Sequence, residues 1–218
     1  MHFEILVEDI SGKTALDILV PKIVGNEHTF QIHPYKGIGR IPKNLRSTSD
    51  PQKRILLDQL PRLIRGYGRT FAGYGDDYSA ILVVVCDLDN RCLSAFRREL
   101  LTLVNGCDPK PETYFCIAIE EGEAWYLGDL IAVKKAYPRA KDAILKSYIN
   151  DSICDTWEML ANALFSGGAK KLSQLGYQAV GQEKTTWAGR ISPYMDVDDN
   201  LSPSFCYFRD KLRRLTSQ

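Results

Sequence analysis

The stretch AILVVVCD (80–87) decides the fold class. An unbroken apolar run rich in β-branched residues has no polar side to turn toward water, so it reads as a strand buried on both faces, the situation of a parallel sheet. It opens into Asp87-Leu88-Asp89, two acids one residue apart. Outward from it, strand and helix patterns alternate. Upstream lie the β-rich FEILVE (3–8), a helical run from Ser11 through Val24, and the alternating TFQIHPY (29–35). Pro21 marks a kink in that first helix. A Gly-containing loop, KGIGR, follows, and then a helix from about Asp50 to Arg65 with Ile55, Leu56, Leu60, Leu63 and Ile64 on one side.

Downstream, Asn90 is placed to cap a helix carrying Leu93, Phe96, Leu100, Leu101 and Val104, which Gly106 ends. YFCIAIE (114–120) is a further strand, and EAWYLGDLIAVKKAY opens another helix. From about Pro138 the strand signal fades into helical segments: AKDAILKSYI, TWEMLANAL and SFCYFRDKLRRL. The expectation is a doubly wound α/β parallel sheet over 1–137, with a helical extension, 138–218, packed on the same domain.

Composition narrows the function classes. The chain has 218 residues, enough for one sizeable core, and 28 Lys and Arg against 27 Asp and Glu leave a net charge of +1. A global basic field is thereby excluded, while a local basic face remains compatible with the total. Cys86, Cys92, Cys107, Cys116, Cys154 and Cys206 form no CxxC pair and read as free thiols of a reducing compartment. MHFEILVED is too short and too soon acidic for a signal peptide, and no apolar run approaches the ~20 residues of a membrane span. The expectation is a cytoplasmic protein.

Three strands end in acid: Glu8-Asp9, Asp87-x-Asp89, and Glu120-Glu121-Gly122-Glu123. Parallel strands point one way, so these carboxylates converge on one edge, where ligand crevices of such sheets lie. Like charges so close repel unless a cation neutralises them, and the hard ions Mg²⁺ or Mn²⁺ suit carboxylate oxygens. A solitary acid after a strand also serves as a helix cap or a solvated loop residue, and Asp89 could merely cap the helix after it. The coincidence of three acidic strand ends favours the metal.

These residues carry a resemblance. A Glu closing the first strand and an Asp-x-Asp closing a later one resemble the Toprim fold of topoisomerases, bacterial primases and OLD-family nucleases. VED with the LVPKIV helix, VVVCDLDN, IEEGEAWYLGD and the late ISPYMD…NLSPSF are similar to a family of small Toprim-like proteins. That family is related to the RloB-like proteins and is often encoded beside an ATPase in anti-phage loci. The resemblance spans about residues 3 to 215. It implies that Glu8, Asp87 and Asp89 are metal-binding acids and that Glu121 and Glu123 match the acidic pair before the Ala-Trp. It also implies that Lys184, in the loop-like QEKTTWAGRI, offsets phosphate charge. A metal-dependent nuclease acting on DNA or RNA is then expected, working with an ATPase partner. A homo-oligomer is compatible with this reading. The alternatives are a non-catalytic docking subunit and a Mg²⁺-dependent phosphohydrolase of small nucleotides.

Other motifs point elsewhere and are set aside. Ser11-Gly12-Lys13-Thr14 copies the end of a P-loop, but Val7 stands where its first glycine belongs. His2, His28 and His33 lack ligand spacing for zinc. Arg69, in the Gly/Tyr-rich loop GYGRTFAGYGDDY (66–78), and Arg91, after the Asp-x-Asp, are the candidate nucleic-acid contacts, with Tyr67, Phe71, Tyr74 and Tyr78 able to stack on bases.

Overall fold

Four strands and ten helices carry the chain in a computed structural model that describes residues 1–46, 50–75, 78–152 and 155–217. The first half alternates as expected: β1 (His2–Val7), α1 (Ile10–Val24), β2 (Thr29–Pro34), α2 (Leu56–Ala72), β3 (Ala80–Asp87), α3 (Leu93–Asn105) and β4 (Thr113–Ala118). The second half is helical: α4 (Glu123–Leu127), α5 (Leu130–Ala136), α6 (Asp142–Leu145), α7 (Thr156–Leu164), α8 (Gly168–Gln174), α9 (Tyr177–Ile191) and α10 (Pro203–Thr216). No helix among the described residues is long and apolar enough to cross a membrane.

The strands form one sheet in the order β2-β1-β3-β4, every pair parallel. Ile81 through Cys86 are each at most 5 % exposed, so β3 is covered on both sides. Alternate residues supply two cores. Ile5, Val83, Val85 and Cys116 face α1 and the later helices, whereas Leu6, Leu82, Val84 and Ile117 face α2 and α3. The helices after β4 bring Trp187, Phe205, Phe208 and Leu212 into the same core as α1. The C-terminal half therefore completes one face of the sheet.

Several local expectations are corrected. Residues 66–72 are not a loop but the last turns of α2, which runs through Gly66 and Gly68. Gly68 is there because a Cβ would lie 2.7 Å from the Pro109 carbonyl carbon; the backbone 109–110 passes against the helix. Tyr67 and Phe71 consequently pack on the second core, and Tyr67 donates to Glu4 at 3.2 Å. Asp76 and Asp77 of the same stretch lie outside the described residues, as does Cys154. The α2 helix begins at Leu56 after a 3₁₀ turn over Pro51–Lys53, later than the pattern from Asp50 suggests. Asn90 does not cap α3, whose first residue follows Cys92. The α1 helix continues through Pro21 to Val24. EAWYLGDLIAVKKAY splits into α4 and α5 at Gly128-Asp129, because Asp129 caps α5 by accepting from Ala132 N–H at 2.9 Å. Cys86, Cys107 and Cys116 are buried free thiols, whereas Cys92 is exposed.

Candidate active site

Strand order sets the position of the site. The chain leaves β1 through α1 to reach β2 on one side, while β3 lies on the other side of β1. That reversal opens a crevice beyond the carboxyl ends of β1 and β3. Glu8 is the residue after β1 and Asp87 the last of β3. Asp9 closes one flank as the N-cap of α1, its Oδ1 accepting from Gly12 N–H at 2.7 Å and its Oδ2 from the Ser11 hydroxyl at 2.7 Å. The Gly12 amide is thus spent on a carboxylate of its own helix, and Lys13 pairs with Asp17 at 2.8 Å.

A small cavity of about 40 Å³ sits at this edge, lined by Glu8, Asp9, Asp87, Gly122, Glu123 and Lys184 among others. It has room for roughly two or three water-sized groups. Lys184 enters from α9, not from a loop; it is a half-turned-in residue of the helix, its side chain 15 % exposed. Its Nζ lies 3.1 Å from Glu123 Oε2 and 3.4 Å from Glu121 Oε1. Glu8 Oε2 accepts from the Asp87 backbone N–H at 3.3 Å.

The protonation equilibria record crowded charge. Burial, then the charges of Asp89 and Asp9, push the Glu8 carboxyl up to about 7 against the opposing Asp87 N–H bond. Asp87 keeps some exposed surface, yet its carboxyl is deep among protein atoms, and burial followed by Glu8 drives it well above the carboxylate range while Lys184 opposes. Burial also raises Glu123, and it raises Glu121 to about 7, with Lys184 opposing in both. For Lys184 burial works against the charge, but Glu123, Glu121 and Asp87 outweigh it and hold the ammonium above its usual range. Four carboxylates face one ammonium, an excess of negative charge if all were ionised.

The approach of Glu121 and Glu123 is fixed by contacts the sequence does not reveal. The α7 helix has no side-chain cap of its own. Glu120 supplies one: its oxygens accept from the Asp155 and Thr156 N–H groups at 3.0 Å each and from the Thr156 hydroxyl, and Glu121 Oε2 accepts from Trp157 N–H at 3.1 Å. Glu120 is therefore a helix anchor. The sequence carries no signal for this, since Asp155 before TWEMLANAL reads as an ordinary cap and only the structure shows that its side chain makes no capping bond.

The two late motifs form a buttress beneath α4. Trp125 Nε1 donates to Ser204 Oγ at 3.1 Å, and Asn200 Nδ2 donates to the Trp125 carbonyl at 2.8 Å. Leu201 N–H donates to the Gly128 carbonyl at 2.9 Å. Asp151, φ 56°, binds the Ser202 hydroxyl at 2.7 Å and the Ser204 N–H at 2.6 Å. EAWYLGD and NLSPSF thus hold the short helix that begins at Glu123.

Glu8, Asp87, Glu121, Glu123 and Lys184 are brought together; the other expected residues are not. Asp89 stands at the rim with φ 50°, its side chain 45 % exposed and 3.6 Å from Arg91. Arg91 stacks on Phe96 at 4.6 Å and reaches the Gly39 carbonyl at 3.4 Å. Arg69 is on the last turn of α2, where Phe71, Tyr74 and Tyr78 run toward His2 at the start of β1, the opposite edge of the sheet. As the side chains stand, no three His, Cys, Asp or Glu among the described residues are placed to hold a metal ion. The donor chemistry nevertheless fits a hard divalent cation: carboxylate oxygens on a rigid edge, with more negative charge than Lys184 offsets. Comparison with protein-family models, with curated proteins and with solved structures finds no match.

Proposed function

We propose that this chain is a Toprim-like nuclease that hydrolyses phosphodiesters of DNA or RNA with Mg²⁺ or Mn²⁺, as the effector of an anti-phage system with an ATPase partner. The observation that carries the catalytic part is the crowd of raised carboxylates, Glu8, Asp87, Glu121 and Glu123, around Lys184 at the switch point of a parallel sheet. The defence role and the partner rest on the sequence resemblance.

Glu8, Asp87 and Glu123 are the residues that would hold the cation, with Glu121 beside them and Asp89 at the rim. Such an ion supplies an acidified water and offsets charge on the phosphate oxygens. The chain's own groups do the rest. Burial and neighbouring acids hold Glu8 up at about 7 without a cation, and its carboxylate would stay ionised as a ligand of a bound cation. Lys184 Nζ, held by Glu121 and Glu123, is the cation available to the developing phosphate charge. The buried walls of Trp125 and Tyr126 limit water behind the carboxylates.

The test is cleavage of plasmid DNA, single-stranded DNA and bulk tRNA with Mg²⁺ or Mn²⁺, wild type beside Asp87→Ala, with and without the product of any neighbouring ATPase gene. Metal-dependent cutting lost in the variant is the expected result. No cutting under any condition favours the second reading, a docking subunit in which the Lys184 pairs to Glu121 and Glu123 are structural. That reading draws on the absence of three converging ligands among the described residues.

A further inference from the structure

From the open edge of the sheet we infer that β4 binds an extended acidic segment of a partner protein as a fifth strand, independently of the chemistry at the carboxyl edge. Among the described residues β4 pairs only with β3, so its outer backbone edge has no strand beside it. Such an edge is a template for a further strand unless it is blunted. The α10 helix flanks it, and Ser204 Oγ accepts from the outward Ile119 N–H at 3.5 Å, so the edge offered to a partner is that of Thr113–Ile117. A groove of about 630 Å³ follows it between α3 and α10.

The groove has the two features that strand addition needs. Its floor is apolar: Phe115 and Ile117 alternate with Ile119 along β4 and its continuation, and Leu88 and Leu93 extend them. Leu93 and Tyr207 are 43 % and 41 % exposed at its two walls, large apolar side chains with no cover. Every second side chain of an added strand would fall on this floor.

Its charge selects the partner. Arg91 and Arg97 line the groove, and Arg98 continues the same exposed face of α3. Asp151 is the acid among the lining residues, its oxygens held by Ser202 and Ser204, and Asp89 lies 3.6 Å from Arg91, so the positive charge offered to a partner is chiefly that of Arg97 and Arg98. Lys211, over the Tyr114 ring at 4.1 Å, adds a cation on the α10 side. Phe115 is 9 % exposed and offers no open ring face for a base, so a floor of this kind beside a strand edge suits a peptide. The fitting occupant has apolar residues at alternate positions and Asp or Glu between them.

Selection of a random peptide library against the full chain tests this, with the enriched peptides then made synthetically. The enriched peptides should alternate apolar and acidic residues. They should slow alkylation of Cys92, the exposed thiol lining the groove, and protect the amides of Thr113–Ala118 from hydrogen exchange. Arg97→Glu, on a solvent-exposed position, should weaken binding about tenfold or more while leaving the exchange of the unliganded chain unchanged, and added salt should weaken it as well. Peptides that bind without protecting Cys92 and β4 overturn the proposal. So does an affinity indifferent to Arg97→Glu, an absence of enrichment, or a concentration-dependent dimer that protects β4 by itself. Protection of the groove by an oligonucleotide and not by peptide overturns it too.

Discussion

Lys184 shows at the scale of one residue how charge is arranged in the site. Its pairs with Glu121 and Glu123 are largely buried, so removing the ammonium leaves carboxylates without their counter-charge. Lys184→Met should destabilise the fold by about 3 kcal/mol in urea unfolding, the usual scale for breaking a buried pair. Adding Glu121→Gln and Glu123→Gln should recover part of it. An unchanged midpoint for Lys184→Met would show that the pairs contribute nothing. The acids predict a pH effect with a definite sign. Glu8 and Glu121 move from 4.5 to about 7 on folding, so between those values the folded state binds more protons. Stability contributed by these groups is then present at pH 4.5 and lost as pH rises toward 7. A Glu8→Gln, Glu121→Gln variant should show a shallower slope, Asp87 and Glu123 keeping the remainder, and equal slopes for the two proteins would contradict the assignment.

At the scale of the element, two helices carry opposite lessons about local rules. The α7 helix takes its cap from outside itself. Glu120→Ala removes the acceptor for Asp155 and Thr156 N–H, so hydrogen exchange over Thr156–Leu164 should accelerate and stability fall by about 2 kcal/mol. A change confined to residues near Glu120 would contradict the capping role. The α2 helix contains Gly66 and Gly68, and alanine in a helix ordinarily gains about 1 kcal/mol over glycine. Gly66→Ala meets nothing within 4 Å and should raise the melting temperature. Gly68→Ala meets backbone atoms at 2.7–2.8 Å and should lower it despite the same propensity gain. Matching shifts for the two variants would mean that the close approach at Pro109 is not as described.

For the whole molecule, the prediction concerns the charge surplus at the sheet edge. If a hard cation neutralises it, Mn²⁺ or Mg²⁺ should raise the melting temperature of wild type through binding to the folded state. The rise should vanish in the Glu8→Ala, Asp87→Ala variant, and a similar rise in both proteins would place the metal elsewhere. This measurement needs no substrate or partner, so it separates metal binding from activity.

The pattern of AILVVVCD, with strand-like runs before and after it, was enough to establish a parallel sheet covered on both faces, because burial on both sides leaves an unbroken apolar run readable along the chain. The acids after β1, β3 and β4 were readable for the same reason: position in a strand is local. What distance along the chain separates, only the tertiary structure could join. The strand order β2-β1-β3-β4 places Glu8 and Asp87 at the switch point, and nothing in the neighbouring residues encodes that order. Lys184 meets Glu121 across 63 positions, from a helix that looked like a loop while its inward face was unknown. Asp89, adjacent to the site in sequence, turns to the rim because its φ of 50° redirects the chain. Sequence determined which groups reach the sheet's edge; packing, which pairs side chains by distance in space and not along the chain, decided which of them meet.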